Sequence, residues 1–162
     1  MTTLQPDIKF LLAHPAHLIA FGLGSGLAPK APGTVGTLLG LPLFWLIVVI
    51  APDLPNQIVL IIATFLLGVW ACGRTGRALG VADHGGMVWD EIVAFALVLL
   101  FTPANWLWIA VAFGLFRLFD ILKPWPIRIA DTRLKNGFGV MFDDLLAAGY
   151  AIVTLKGLQW LV

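Results

Sequence analysis

The chain has 162 residues, 60% of them apolar and only 12% charged, with a net charge of +1. A soluble domain carries about 25% charged residues, so much of this surface must meet something other than water, and lipid is the available solvent. The near-neutral balance and the lack of a dense basic run exclude nucleic acid as a partner. The length suits a single domain, residues 1–162, better than two of ordinary size. Cys72 is the one cysteine and sits in an apolar stretch, which rules out a disulfide framework within the chain. No cleavable leader is expected, because His14, Pro15 and His17 interrupt the first apolar stretch.

Residues 1–13, with Asp7 and Lys9, read as a short polar arm. Residues 16–23 are apolar but too few to cross a bilayer, which predicts a short helix at the interface or packed on the domain. Residues 22–37, GLGSGLAPKAPGTVGT, then bring five glycines, two prolines and Lys30. Glycine lets backbone N–H groups turn towards a ligand, and Pro32 before Gly33 and Thr34 predicts a helix start whose N-terminus favours an anion. Such a loop can hold a phosphate, although a stretch of this composition is more often a plain turn. It is not a Walker A loop, since Pro29 precedes Lys30 and neither Ser nor Thr follows it.

Between Lys30 and Asp53 lie 22 uncharged residues, and between Asp53 and Arg74 another 20. Each run approaches the roughly 20 residues needed to cross a bilayer core, so these are the first two predicted membrane helices, joined by a short loop at 51–57. Past Arg74 the pattern becomes amphipathic through Arg77 and Asp83, and Gly85 and Gly86 are expected to break the helix. The segment 84–91, HGGMVWDE, then drives Asp90 and Glu91 into the mouth of 25 uncharged residues, 92–116. Carboxylates at a water–lipid boundary lose solvation and call for a cation, a metal or a proton, unless they merely mark a solvated helix entrance.

Thr102, Pro103, Ala104 and Asn105 supply a turn signal inside that run, which predicts a hairpin of two helices with Trp106 and Trp108 as interfacial aromatics. A hairpin returns Arg117, Asp120 and Lys123 to the end that holds Asp90 and Glu91, whereas a single crossing would set a membrane between them. Pro124 and Pro126 end the second helix, and a polar connection over 127–139 leads to Asp143 and Asp144 at the entrance of a last apolar run. There Lys156 can snorkel and Trp160 suits the far interface. The resulting class is all-α, a polytopic membrane bundle of about five embedded helices with a short N-terminal interfacial helix. Nine of the ten Lys and Arg residues, all but Lys156, share the N-terminal side, which the positive-inside rule assigns to the cytoplasm.

Arg117, Asp120 and Lys123 recur at i, i+3 and i+6, one helical arc that could face a common cleft. Two cations flanking an acid suit a dianionic phosphate beside a carboxylate-bound metal, while a snorkelling belt around a paired Asp120 is the plainer alternative. Carboxylates without a Cys/His cluster favour Mg²⁺ over Zn²⁺. His84 alone among the histidines lies near the acids, and a hydrogen-bonded structural role suits it better than a direct one. Cysteine-phosphatase chemistry is excluded because Ala78, not Arg, stands six places after Cys72, and no D-x-D motif occurs. Metal-assisted attack on a phosphoryl group remains, and so does a small ion- or proton-coupled transporter.

Four segments in this order and spacing, GLGSGLAPKAPGTVGT, HGGMVWDE, FRLFDILKPWPIR and GFGVMFDDLLAAG, resemble the bacterial phosphatidylglycerophosphatase A family over residues 14–150. Gly86 and Met87, before Trp89, are mild departures. The resemblance implies a Mg²⁺-dependent phosphatase of the bacterial cytoplasmic membrane, active on the cytoplasmic side, that converts phosphatidylglycerophosphate to phosphatidylglycerol and inorganic phosphate. It carries over Asp90, Glu91, Asp143 and Asp144 as catalytic and metal-binding residues, and Lys30, Arg117, Asp120 and Lys123 as substrate-binding ones. An oligomer is compatible with it.

Overall fold

Residues 6–161 are described by the computed structural model, and every regular element among them is helical. The predicted polar arm is replaced by α1 (Ile8–Leu12), capped by the Asp7 carboxylate, which accepts from the Phe10 amide at 2.8 Å. Phe10 and Leu11 are apolar, and Leu11 is fully buried, which is why this segment folds back; the arm's residues 1–5 lie outside the described residues. In α2 (Pro15–Ala20), the His14 ring nitrogen accepts from the Ala16 amide, and Ala16 and Ala20 pack without exposure. The short helix therefore rests on the domain, against α4 (Leu54–Leu79).

The first two long helices stand where the charge-free runs placed them. α3 (Pro32–Ile50) opens at Pro32, and α4 is capped by Asp53, which accepts from the Asn56 amide at 3.1 Å. α4 ends earlier than predicted, however. Gly80 takes a left-handed conformation at φ 71°, and its amide turns back to the last carbonyls, so the chain leaves there and not at Gly85 and Gly86. The hairpin is present as α5 (Trp89–Leu100) and α6 (Trp106–Leu122), with the Asn105 side chain accepting from the Leu107 amide to start the second arm. After α7 (Ile127–Arg133), the chain closes with α8 (Gly137–Leu161).

α8 starts well before the predicted entrance at Asp143. Gly137 and Gly139, read as the tail of a connection, are its first turn: a Cβ on Gly137 would overlap the α4 backbone at Val69 and Gly73, so the two helices meet backbone to backbone. Asn136 accepts from the Gly139 amide at 2.9 Å and sets the start. Asp143 and Asp144 are thereby helix-interior residues, too far along for the stabilisation that a helix N-terminus offers acids.

α5 is the centre of the bundle, packed on α3, α4 and α8, while α8 also meets α6 and α7. Seven apolar residues of α5 are buried, from Ile92 to Leu99, and Phe95 is fully enclosed. The outer helices show the reverse pattern, with Val49, Leu66 and Val153 among many large apolar side chains left exposed. In water such a surface would drive aggregation; against lipid tails it costs nothing. Three helices, α3, α4 and α8, are long and apolar enough to cross a membrane. α5 has 12 residues and α6 17, so α5 reaches only about 18 Å and relies on its neighbours for cover.

Candidate active site

Asp90 and Glu91 occupy the first turn of α5, and the bundle buries them differently. Glu91 faces α3, where a Cβ on Gly33 would overlap its carboxylate, so glycine is what allows the start of α3 to lie against this acid. Thr37, one turn further along α3 and fully buried, has its hydroxyl 2.8 Å from the Gly33 carbonyl and 3.2 Å from Glu91 Oε2. Arg117 reaches in from α6, with Nη1 at 3.1 Å from Glu91 Oε1, 2.6 Å from Asp120 Oδ2 and 3.4 Å from Thr37 Oγ1. Among the described residues, every polar contact of Arg117 falls on Nη1, which leaves Nη2 and Nε to donate elsewhere. Asp120 is buried beneath the guanidinium and acts as its anchor.

A second cluster joins α6, α7 and α8. Lys123 Nζ lies 2.6 Å from Asp143 Oδ2 and 2.9 Å from Asp131 Oδ1. Partial burial opposes its charge, but the hydrogen bonds and charges of Asp143 and Asp131 outweigh that and hold the ammonium above the usual lysine range. The single arc expected for Arg117, Asp120 and Lys123 is thus split. Lys123 is the residue that ends α6, at φ 42°, and this left-handed turn swings its side chain away from the helical arc towards α7 and α8.

Asp90 and Asp144 are also buried, and neither takes part in an ion pair among the described residues. Asp90 Oδ1, Asp144 Oδ2 and Asp143 Oδ1 are buried with no hydrogen-bond partner. Unpartnered buried carboxylate oxygens are costly, and a hard cation is the partner that suits them. Among the described residues, no three acids, histidines or Cys72 stand close enough together to hold a metal ion as they are. The donor set, oxygen throughout, fits Mg²⁺.

The remaining predicted residues fall outside these contacts. Lys30 is exposed beside the first turn of α3 and forms none of the ion pairs among the described residues. His84 accepts from the Gly86 amide at 3.0 Å and sits 5.7 Å from the Phe21 ring, a turn-holding role. Two contributors escaped the sequence reading. Thr37 was traceable, since it follows Gly33 by one helical turn and so shares its face; Asp131 carried no signal, because only the fold of α7 against α8 brings it to Lys123.

A helical membrane protein that gathers buried acids and basic partners at one end is the class these features define. Residues 18–159 match the family model described as Phosphatidylglycerophosphatase A. A Haemophilus influenzae protein named phosphatidylglycerophosphatase A is 48% identical over 163 residues, covering 99% of this chain and 98% of the relative. The Escherichia coli protein of the same name is 41% identical over 140 residues, 86% of this chain and 80% of the relative. A Bacteroides thetaiotaomicron relative with a provisional phosphatidylinositol-3-phosphatase name is 37% identical over 152 residues, 90% of this chain and 94% of its own length. No solved structure matches the chain. The chain belongs to the phosphatidylglycerophosphatase A family.

Proposed function

We propose that this chain hydrolyses the terminal phosphate monoester of phosphatidylglycerophosphate, releasing inorganic phosphate and leaving phosphatidylglycerol in the membrane. The observation that carries the reading is that Asp90 and Asp144 are buried, each with one carboxylate oxygen lacking a partner, in a fold that also holds the Glu91–Arg117 and Asp143–Lys123 ion pairs. Asp90 and Asp144, with Glu91 and Asp143 beside them, would hold Mg²⁺, which supplies positive charge against the phosphoryl oxygens. Arg117 donates through its free nitrogens to the same oxygens, where charge spreads during transfer, and Asp120 keeps the guanidinium aimed. Lys30, exposed at the start of α3, adds attraction for the dianion from the loop side. A carboxylate of the cluster accepts the proton of the attacking water as the new P–O bond forms; the P–O bond to glycerol breaks and its oxygen takes up a proton. Burial at the bundle end keeps these groups out of bulk water, which strengthens each charge interaction.

The positive-inside rule supports a multi-pass arrangement in the bacterial cytoplasmic membrane with this end in the cytoplasm. The transporter reading is not favoured, because three relatives that match over most of the chain carry phosphatase names. Phosphate release from purified protein, with Mg²⁺ and with a chelator, tests the proposal. Asp90→Asn and Asp144→Asn should each lower release by about a hundredfold or more while leaving the protein folded. Full release by the unmodified protein in chelator, or unchanged release by both variants with Mg²⁺ present, would refute it; ion flux through proteoliposomes without phosphate release would favour the transporter.

A further inference from the structure

A cavity of about 410 Å³ lies between the C-terminal end of α4 and the start of α8. Gly73, Gly76 and Gly80 of α4 and Gly137 of α8 line it, so the space exists where four side chains are missing. Its polar side chains are Arg77, Lys135 and Asn136, and no carboxylate is among its lining residues. The Asn136 side-chain oxygen already accepts from the Gly139 amide at 2.9 Å, which leaves its NH₂ group as the part free to bond. The three side chains therefore offer a ligand donors only. Gly73 also gives the guanidinium its place: a Cβ there would stand 3.7 Å from Arg77 Nη1 and 3.6 Å from the Gly137 Cα, so Arg77 is folded back along α4 towards α8.

The charges around the cavity are an independent observation. Arg77 also borders a neighbouring cavity of about 290 Å³ with Arg74 and the buried His17. Lys135 borders a much smaller one with Asp83 and Asp131 but pairs with neither acid, and none of Arg74, Arg77 and Lys135 takes part in an ion pair among the described residues. Cations gathered without a counter-charge repel one another, and an anion seated among them removes that cost. The depth suits a phosphate. Of the 26 residues of α4 about 20 cross the hydrocarbon, so the helix from about Arg74 onwards stands at the level of the lipid headgroups. Gly73, Arg77 and Gly80 share an arc of about 60° with Val59, Ile62 and Leu66, which are exposed, so the cavity opens towards the lipid-facing side of α4 as well as towards water. We propose that this cavity is a second anion site, which binds a phosphate group, either the headgroup phosphate of an anionic phospholipid or inorganic phosphate from solution. It shares no lining residue with the acidic site and does not depend on the phosphatase reading. A phosphate held by the Arg77 fork and the Lys135 ammonium ties the end of α4 to the start of α8, the helix that carries Asp143 and Asp144.

The test uses full-length protein in nanodiscs, with a chelator present so that no cation draws phosphate to the acids. In the lipid arm, discs of mixed phosphatidylcholine and phosphatidylglycerol are opened in a mass spectrometer and the lipids kept on the protein are counted. Arg77→Gln combined with Lys135→Gln, both at exposed positions, should lower the preference for phosphatidylglycerol by about tenfold. In the phosphate arm, discs of phosphatidylcholine alone are titrated with inorganic phosphate, and any rise in unfolding temperature seen for the unmodified protein should vanish in the double variant. Loss in the lipid arm alone assigns the cavity to a headgroup, loss in the phosphate arm alone assigns it to free phosphate, and loss in both shows that it takes either. Should the double variant fail to fold, Lys135→Gln alone, in the connection before α8, carries the same test with a loss of about threefold. An unmodified protein that shows neither a lipid preference nor a response to phosphate overturns the site, as do variants that match it in both arms. An equal loss in Arg128→Gln combined with Arg133→Gln, two exposed cations of α7, also overturns it, because the effect would then be one of net charge.

Discussion

Removing the Lys123 ammonium strands Asp143, a carboxylate whose side chain is only 6% exposed. At 2.6 Å and an effective dielectric of about 20, the pair's attraction is roughly 6 kcal/mol. Desolvating Asp143 and one quarter-exposed lysine takes back several kcal/mol, and a coupling of about 2–3 kcal/mol remains. Lys123→Met should therefore destabilise the protein by about 3 kcal/mol, whereas Lys123→Met combined with Asp143→Asn should recover most of that loss, because residue 143 then carries no charge to strand and the more exposed Asp131 is solvated. Thermal unfolding of the four proteins of this double-mutant cycle, in one detergent, gives the coupling directly. The sign of its pH dependence also follows. On the alkaline side the folded-state ammonium titrates above the ordinary lysine value, so its share of the contribution persists at about pH 10 and is lost as the pH rises through the higher folded value. A coupling under about 0.5 kcal/mol, the level of a surface ion pair, would refute the reasoning.

Three further outcomes are expected. Gly33→Ala forces a methyl group into the Glu91 carboxylate and should cut phosphate release by about tenfold or more with little change in helix content by circular dichroism; an unchanged rate would show that α3 can retreat. Thr37→Val keeps the buried shape but removes the hydroxyl near Glu91 Oε2, costing about 1–2 kcal/mol of stability and several-fold in activity, while Thr37→Ser restores both if the hydroxyl is what matters. His17 is buried with Nδ1 3.0 Å from the Thr75 hydroxyl, and burial, helped by His14 and Arg74, holds its pKa below the usual value. Stability from neutral His17 is thus complete above about pH 6.5 and declines as the pH falls below it, so His17→Phe should flatten the unfolding temperature between about pH 6.5 and 5. An equally steep decline in that variant would exclude His17 as the cause.

Charge-free stretches and proline or glycine punctuation sufficed to place α3, α4, α6 and the hairpin turn, because helix length and chain reversal depend on neighbours in sequence. The same signals failed where contact between helices decided the matter. Gly137 and Gly139 read as a loop because small, flexible residues usually make one; here they are helical and sit where no Cβ fits, Gly137 against the α4 backbone and Gly139 against the Leu134 carbonyl. Asp143 and Asp144 consequently move from a helix entrance to its buried interior. The return of Arg117, Asp120 and Lys123 to the end that holds Asp90 and Glu91 was legible in the sequence, since the turn at 102–105 reverses the chain between α5 and α6. Partner choice was not. Arg117 joins Glu91 and Asp120, whereas Lys123 joins Asp131 and Asp143, because helical periodicity holds only while the helix continues and Lys123 is the residue at which α6 stops. Which acids remain unpaired, Asp90 and Asp144, is a property of side chains from α5 and α8 meeting in space, and only the tertiary structure could decide it.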